Sequence, residues 1–455
     1  FPFLWVSPLM VIVCIQTLRG HPTIFSPVRF GFWRDIFLWA LAALVCGFFW
    51  EMWNYKSLAR WVYIVPFVQH AHIFEMPILG YSGYLTFGIE CAVITGILTR
   101  WCDDRQPPAI LGRPAIRAAL ALLIAIACWM PMLHVFFKPD LASCRTESGI
   151  PRQAAALAAR QLDLWSRPDL RQQEIRKMRR SNAEWDFMAR TYFVLALANM
   201  SLREPAAADR YLDVMDAIID ETVRLEKENG IYYFLMDYAT LSPFRNAGKR
   251  SLFQDGEIAL MLAARRMVRE KPEYRPLLAG RVALMETQLR ESRILCGESY
   301  PDECWMFCNA IAMDVLRMSD ALDGTSHSDL IAAWLRSVKK NLTDARTGLL
   351  VSSFTQDGRP LDGPEGSSIW MIAHSLQILD RDFAADQYRR ARRELGRTIL
   401  GFGYAREWPA SWHGPTDVDS GPIIPILGIS PGSSGLAILA AGAFDDRPYL
   451  SALLT

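Results

Sequence analysis

Long apolar runs fill the first part of this chain and constrain its fold more than any other feature. Four of them reach or approach the roughly 20 residues that a helix needs to cross a bilayer. They are Phe1–Leu18, Ile36–Trp53, Met76–Leu98 and Ala115–Phe137. A cleaved signal peptide would not be followed by three further spans. The sequence therefore predicts a transmembrane domain of about four helices over residues 1–140.

Arginine residues are concentrated in two of the short loops between these runs. These are Arg19, Arg29 and Arg34 in the first loop, and Arg100, Arg105, Arg113 and Arg117 in the third. Short loops rich in Lys and Arg face the cytoplasm, so the chain after Phe137 faces the opposite side. We predict a multi-pass protein of a bacterial inner membrane with a periplasmic soluble domain. Because the sequence begins at Phe1 rather than Met, we expect the natural chain to start upstream.

Three glutamates, Glu51, Glu75 and Glu90, interrupt the apolar sequence. An ionisable residue at membrane depth is costly and is a functional candidate by default. The alternative is that each glutamate lies near a bilayer edge and bonds to a neighbouring helix. His70 and His72 suggest a metal site with Glu75, but these three ligands have no fixed frame, so we predict no metal.

The second part of the chain, residues 145–455, has a helical pattern throughout. Apolar residues recur three and four positions apart with charges between them. The clearest segments are Trp185–Leu202, Ala206–Lys227, Ile258–Val268, Arg281–Arg290, Ala310–Leu322, Leu330–Leu342, Ile369–Leu379 and Phe383–Leu400. Only Leu349–Phe354 resembles a strand. We predict an all-α fold in which about a dozen helices form an α/α toroid, similar to an (α/α)6 barrel.

Acidic and aromatic residues recur where these helices begin, and in a toroid the inner helices all begin at one rim. The segments are Ala183–Asp186, Leu252–Glu257, Glu298–Asn309, Gly363–Trp370 and Asp417–Pro422. Capping of free N–H groups is the structural alternative for each acid. The candidate catalytic residues are Asp255, Glu257, Asp302, Cys308, Glu365 and Asp419. The candidate substrate-binding residues are Trp185, Asp186, Tyr300, Trp305, Trp370 and Trp412.

A cluster of three cysteines, Cys296, Cys304 and Cys308, admits three interpretations. A zinc site would need a fourth ligand at short spacing, which is not evident. A disulfide could form in an oxidising compartment, with Cys144 as a further partner. A reactive thiol is the third interpretation, because a helix start stabilises a thiolate, and Cys308 is the best placed for it.

The segment Tyr300–Asn309 resembles the cysteine-containing segment of the linalool dehydratase/isomerase family, most closely at Pro301, Asp302 and the pair Cys308 and Asn309. The resemblance implies an (α/α)6 barrel that interconverts linalool, geraniol and myrcene without an organic cofactor or metal. It also implies an apolar terpenoid pocket with acid–base residues that include an Asp, a Tyr, a His and two Cys.

Two positions depart from that family. Its second cysteine would fall near Ser299, or at Cys296 with a short insertion, and its histidine in the segment that carries Asp255 and Glu257. The chain also resembles a set of bacterial membrane proteins that share its membrane segment and the motifs at Glu365 and Asp419. Because those proteins extend further, we expect the natural chain to continue beyond Thr455.

Three functions are compatible with these patterns. The first is a membrane-anchored lyase or isomerase acting by acid–base catalysis on an apolar, terpenoid-like alcohol. In it, Asp302 or Glu257 protonates the leaving hydroxyl, and Cys308 or Glu365 removes a proton from the adjacent carbon. The second is a carbohydrate-active hydrolase or lyase, since paired acids and a Trp-rich cleft also suit sugars. The third is a non-catalytic subunit of a larger membrane complex.

The 49 basic and 48 acidic residues leave a net charge of +1, which argues against nucleic acid as a partner.

Overall fold

The chain divides into two compact units in a computed structural model, Phe1–Ala125 and Ile126–Thr455. The described residues are 2–55, 57, 60–63, 71–103, 119–120, 122–124, 126–127, 140–414, 421–424 and 427–455. Most of the described chain is helical.

The described residues of the first unit include three long helices and one very short hairpin. They are α1 (Pro2–Leu18), α2 (Arg34–Tyr55), β1 (His72–Ile73), β2 (Met76–Pro77) and α3 (Ser82–Asp103). Short 3-10 turns occupy Ser26–Phe30 and Ile78–Tyr81.

Two helical stretches among the described residues, Arg34–Tyr55 and Ile78–Thr99, are long and apolar enough to cross a membrane. Only 11% of each apolar stretch is buried. The first expected span forms α1, whose 17 residues reach about 25 Å, less than the roughly 30 Å of a hydrocarbon core. The fourth, Ala115–Phe137, lies largely outside the described residues. The sequence predicts about four spans, whereas the part of the chain that the structure describes contains two helices that are long and apolar enough.

Helices α2 and α3 approach each other closely at two glycines. A Cβ atom added to Gly47 would lie 2.5 Å from the ring of Tyr84. One added to Gly88 would lie 2.3 Å from the carbonyl oxygen of Trp39 and 2.6 Å from the Cβ of Ala43. Small residues at a helix contact are typical of membrane helix pairs.

The second unit contains thirteen helices among its described residues. They are α4 (Leu141–Cys144), α5 (Arg152–Ser166), α6 (Pro168–Ser181), α7 (Ala183–Arg203), α8 (Ala208–Asn229), α9 (Leu252–Val268), α10 (Tyr274–Glu291), α11 (Met306–Asp323), α12 (Ser328–Asn341), α13 (Gly366–Ser375), α14 (Arg381–Glu394), α15 (Pro431–Ala443) and α16 (Arg447–Leu453). Short 3-10 turns occupy Pro205–Ala207, Asp237–Leu241 and Leu376–Ile378.

Alternate helices of this unit form an inner row. Helices α7, α9, α11, α13 and α15 each pack on the next one of the row, while α8, α10, α14 and α16 pack on them from outside. Every residue of α9 from Leu252 to Arg266 is buried, so the row forms the hydrophobic core. Because each inner helix returns through an outer one, the inner N-termini share one end. This arrangement is consistent with an α/α toroid.

Side chains of the preceding residues cap several inner helices at that end. Asn182 accepts a hydrogen bond from the backbone N–H of Glu184 in α7, and Ser251 accepts one from that of Gln254 in α9. Ser430 does the same for the N–H of Ser433 in α15. These caps satisfy N–H groups that the helix itself leaves free.

Small antiparallel sheets accompany the predominantly helical fold. Strands β3 (Cys304–Trp305), β4 (Ser353–Phe354) and β5 (Pro360–Asp362) pair in that order. Strands β6 (Gly396–Ile399) and β7 (Phe402–Ala405) form a hairpin.

The helix predicted over Phe383–Leu400 was too long, because α14 ends at Glu394 and β6 follows. Leu400 and Gly401 have φ angles of 49° and 88° and turn the chain between β6 and β7. Glycine reaches that left-handed region without steric cost, and a helix does not. The strand expected within Leu349–Phe354 is reduced to its last two residues.

Candidate functional site

Glu257 lies in the second turn of α9, inside the core of the inner row. Its residue surface is 1% exposed, and neither carboxyl oxygen has a hydrogen-bond partner with ordinary geometry among the described residues. Burial raises the pKa of Glu257 to about 8, and the nearby Thr191 hydroxyl of α7 offsets part of that rise. A neutral carboxylic acid without partners inside a core is costly for stability, and at pH 7 it can donate a proton.

Three other ionisable side chains, Tyr192, Cys308 and Asp314, lie close enough to Glu257 to sense its charge. They come from α7 and α11, the helices that flank α9. Burial, reinforced by Glu257, raises the pKa of the Tyr192 phenol. Burial also raises the pKa of Asp314 well above its ordinary value, although the Ser375 hydroxyl donates a hydrogen bond to it. The three helices therefore place two neutral acids, a phenol and a thiol in one buried cluster, the Glu257 cluster.

The burial of the three clustered cysteines argues against the reactive-thiol interpretation. Cys296, Cys304 and Cys308 are buried and unbridged. Burial raises the pKa of Cys296 to about 12 and that of Cys308 well above its ordinary value, although the Ser299 hydroxyl opposes the rise at Cys308. Desolvation thus outweighs the helix start, and Cys308 is a thiol rather than a thiolate at neutral pH.

Two of the predicted acids, Asp255 and Asp186, form ion pairs with arginine side chains. Asp255 receives hydrogen bonds from Arg250 at 2.6 Å and Arg281 at 2.7 Å. Asp186, expected to bind substrate, receives one from Arg190 at 2.7 Å. Asp255 is two residues from Glu257, so the helix turns it about 200° away from the cluster. Both carboxylates therefore belong to structural ion pairs.

Asp302 and Glu365 lie in different local environments. Asp302 lies in a turn with φ of 57° and pairs with Arg245 at 2.8 Å on the surface. Glu365 is buried at the start of α13, where its own N–H donates to the Ser352 hydroxyl and its carbonyl accepts from the N–H of Ser368. Asp419 lies outside the described residues. Of the predicted catalytic residues, Glu257 and Cys308 are the pair whose proximity the described contacts establish.

The aromatic residues that were predicted to bind substrate also lie in different environments. The indole N–H of Trp370 donates to Ser433 at 3.0 Å in the core, and that of Trp305 donates to Glu303 at 2.7 Å. The Tyr300 hydroxyl donates a hydrogen bond to Glu184, and the Trp412 ring stacks on that of Trp408. Trp185 is 43% exposed. Trp370 and Trp305 are thus anchored by their own polar partners rather than by a shared pocket.

An open surface pocket of about 260 Å³ lies beside Pro364, just before α13. Its lining includes Trp412, His413, Arg346 and Asp344. Of the predicted substrate-binding residues, Trp412 alone lines this pocket.

Sequence reasoning missed Thr191, Tyr192 and Asp314. One signal was available, because Asp314 is an acid within an apolar face of the Ala310–Leu322 helix. The proximity of Tyr192 and Thr191 to Glu257 depends on the packing of α7 against α9 and left no sequence signal.

The three glutamates of the first unit have distinct surroundings. Glu51 is fully buried, and one of its oxygens accepts hydrogen bonds from the phenols of Tyr63 and Tyr84, each at 2.6 Å. Glu75 pairs with Arg60 at 2.9 Å. Glu90 is half-buried within α3. Glu51 is thus bonded to the neighbouring helix α3 through Tyr84, whereas the partner of Glu75 lies in the segment between α2 and β1.

No group of three metal-ligating side chains is found within the described ranges. His72 is exposed, and His70 lies outside the described residues.

Comparison with known proteins identifies a distant structural likeness only. No family model and no curated protein matches the chain. One solved structure with a detectable likeness is the GH76 α-mannanase from Bacteroides thetaiotaomicron. It has 13% identity and a TM-score of 0.37, over 59% of this chain and 71% of the mannanase. That likeness is too low to assign the fold or an activity.

Proposed function

We propose that the second unit is an acid–base enzyme of dehydratase or isomerase type, with Glu257 as its central residue. The observation that supports this proposal is the buried carboxyl of Glu257, whose two oxygens have no hydrogen-bond partner of ordinary geometry among the described residues. A folded protein keeps such a costly group where it has a use. The neighbouring Tyr192 and Asp314 add groups that can hold or orient a hydroxyl.

Glu257 alone can perform both proton transfers of a dehydration. Its protonated oxygen donates to the hydroxyl of the substrate, the C–O bond breaks, and water leaves. The other oxygen then accepts a proton from the adjacent carbon, which forms the double bond and restores the acid. This route replaces the expected base Cys308, whose thiol stays protonated, and the expected acid Asp302, which is paired with Arg245 on the surface.

The surroundings of Glu257 favour an apolar substrate. The Tyr192 hydroxyl contacts the sulfur of Met371. A Cβ atom added to Gly256, the residue before Glu257, would lie 3.5 Å from the side chain of Ile311. A sugar would need several polar partners for its hydroxyls, whereas an aliphatic alcohol needs one or two. A membrane attachment, as the apolar runs predict, would suit a substrate that dissolves in lipid.

The proposal is tested with the full-length chain purified in detergent and incubated with linalool. Gas chromatography should detect myrcene or geraniol, and Glu257→Gln should reduce turnover by at least 100-fold. Glu228→Gln, an exposed glutamate on α8, is the matched control and should retain activity. Undiminished turnover in Glu257→Gln would remove Glu257 from the mechanism. Absence of turnover on any alcohol or sugar would favour the non-catalytic subunit.

A carbohydrate-active enzyme remains the second candidate because of the open pocket beside Pro364. The Trp412 ring, stacked on Trp408 at 5.9 Å between centroids, lies beside Arg346 and His413. An aromatic surface with polar groups at its edge is suited to a sugar ring. Trp412→Ala should weaken binding of mannose oligosaccharides in this case and leave terpenoid turnover unchanged.

A further inference from the structure

A second surface pocket of about 610 Å³ lies where the first and last helices of the second unit meet. Three arginines line it, Arg145 after α4, Arg203 at the end of α7 and Arg447 at the start of α16. Leu141 and Leu450 supply apolar lining. The pocket thus combines several guanidinium groups with an apolar surface.

The arginines outnumber the carboxylates that they contact. Arg145 and Arg447 both bind the same carboxylate oxygen of Asp445. Arg203 donates to the carbonyls of Thr146 at 2.6 Å and Gly149 at 2.7 Å, and it has no ion pair among the described residues. Three positive charges therefore share one paired carboxylate, and the remaining acid of the lining is the exposed Glu147.

This combination suits an anion that is attached to an apolar chain. A guanidinium group offers planar paired N–H donors that match the oxygens of a phosphate. The apolar side chains provide a surface for the carbon atoms next to that phosphate. A free inorganic anion would gain nothing from the apolar part of the pocket.

The position of the pocket along the chain identifies the source of such an anion. Four residue steps separate Leu141 from Phe137, the end of the fourth apolar run. Fully extended, they reach about 14 Å. If that run enters the bilayer, Leu141 lies near the headgroup layer, which adds roughly 5 to 8 Å on each side of the hydrocarbon core.

We propose that this pocket binds the headgroup phosphate of an anionic phospholipid. The proposal rests on the membrane attachment included in the proposed function, and it is independent of the chemistry at Glu257. Arg145 and Arg447 contact the phosphate, while Arg203 holds the Thr146–Gly149 turn that shapes the pocket.

The test uses the full-length chain in detergent, titrated with short-chain phosphatidylglycerol or phosphatidylcholine, with bound lipid measured by native mass spectrometry. The wild type should bind phosphatidylglycerol about 25-fold more tightly than phosphatidylcholine, since each of the two arginines at the headgroup contributes about a factor of five. The double variant Arg145→Gln with Arg447→Gln should lose this preference. The matched control Arg224→Gln with Arg389→Gln removes the same charge from exposed positions and should keep it.

A second variant tests the proposal in the opposite direction. Asp445→Asn frees both arginines, so phosphatidylglycerol should bind more tightly than to the wild type. Asn tolerates the φ of 56° at this position. Weaker binding in Asp445→Asn would overturn the proposal. Displacement of phosphatidylglycerol by millimolar inorganic phosphate would also overturn the proposal, in favour of a free-phosphate site. Turnover of linalool is measured in parallel, which separates failure at this pocket from failure at Glu257.

Discussion

The protonation of Glu257 predicts an unusual pH dependence of stability. The folded-state pKa of about 8 compares with an ordinary value of 4.5. Between these two pH values the folded protein holds a proton that the unfolded chain has released. The free energy of unfolding therefore falls as the pH rises through this window. At 1.36 kcal/mol per pH unit, the loss attributable to Glu257 is about 5 kcal/mol above pH 8.

Glu257→Gln removes this penalty, because glutamine has nearly the same shape and no charge. We expect the variant to resemble the wild type at pH 5 and to exceed its stability at pH 9 by up to about 5 kcal/mol. Asp314, whose pKa is raised by burial and further by the charge of Glu257, acts in the same direction and is present in both proteins. The same substitution should abolish turnover, which would couple a gain in stability to a loss of function.

Hydrogen exchange of the α9 amides measures this difference locally, which avoids the assumption that a two-unit protein unfolds in one step. At pH 9 the protection factors of the variant should exceed those of the wild type by about three orders of magnitude. Glu226→Gln is a control of opposite sign. Burial alone would raise the pKa of Glu226, but Arg281 and Arg250 lower it. Its stabilisation is therefore present at neutral pH and lost in acid. Equal exchange of Glu257→Gln and wild type at pH 9 would refute the reasoning.

Three further predictions follow from close contacts and buried charges. Gly47→Leu should destabilise the α2–α3 pair by about 1–3 kcal/mol or more in a detergent thermal melt, because a Cβ there meets a tyrosine ring at 2.5 Å. Gly96→Leu, with open space around it, should be neutral, and similar melting of both variants would contradict this packing. Arg281→Ala should cost about 3–5 kcal/mol in urea unfolding, because it leaves two buried carboxylates short of a partner; a loss below 1 kcal/mol would argue against that role. A thiol reagent at pH 8 should label Cys144 and spare Cys308 in the folded protein, whereas rapid labelling of Cys308 would restore the reactive-thiol interpretation.

The two halves of the candidate site differ in how far they were predictable. Glu257 and Cys308 were selected because both begin apolar helices, and the structure places both in one buried cluster. Asp255 met the same criterion and lies among arginines instead. The difference between Asp255 and Glu257 is their direction around α9, which depends on the neighbours that pack on each side.

Local sequence was sufficient for the features that depend on periodicity and chain length. Apolar runs distinguished the first unit, and apolar positions three and four apart located the helices of the second, because a helix repeats every 3.6 residues whatever surrounds it. Helix ends near glycine, as after α14, were the weakest part, since β6 forms only by pairing with β7.

Only the tertiary structure decided which acids pair with arginine and which are buried without such a partner. Asp255 pairs with arginines from two other segments of the chain, whereas Glu257, two residues away, faces an apolar interior that raises the pKa of its carboxyl to about 8. Charge state depends on solvent exclusion and on partners that are distant in sequence, so periodicity carries no information about it.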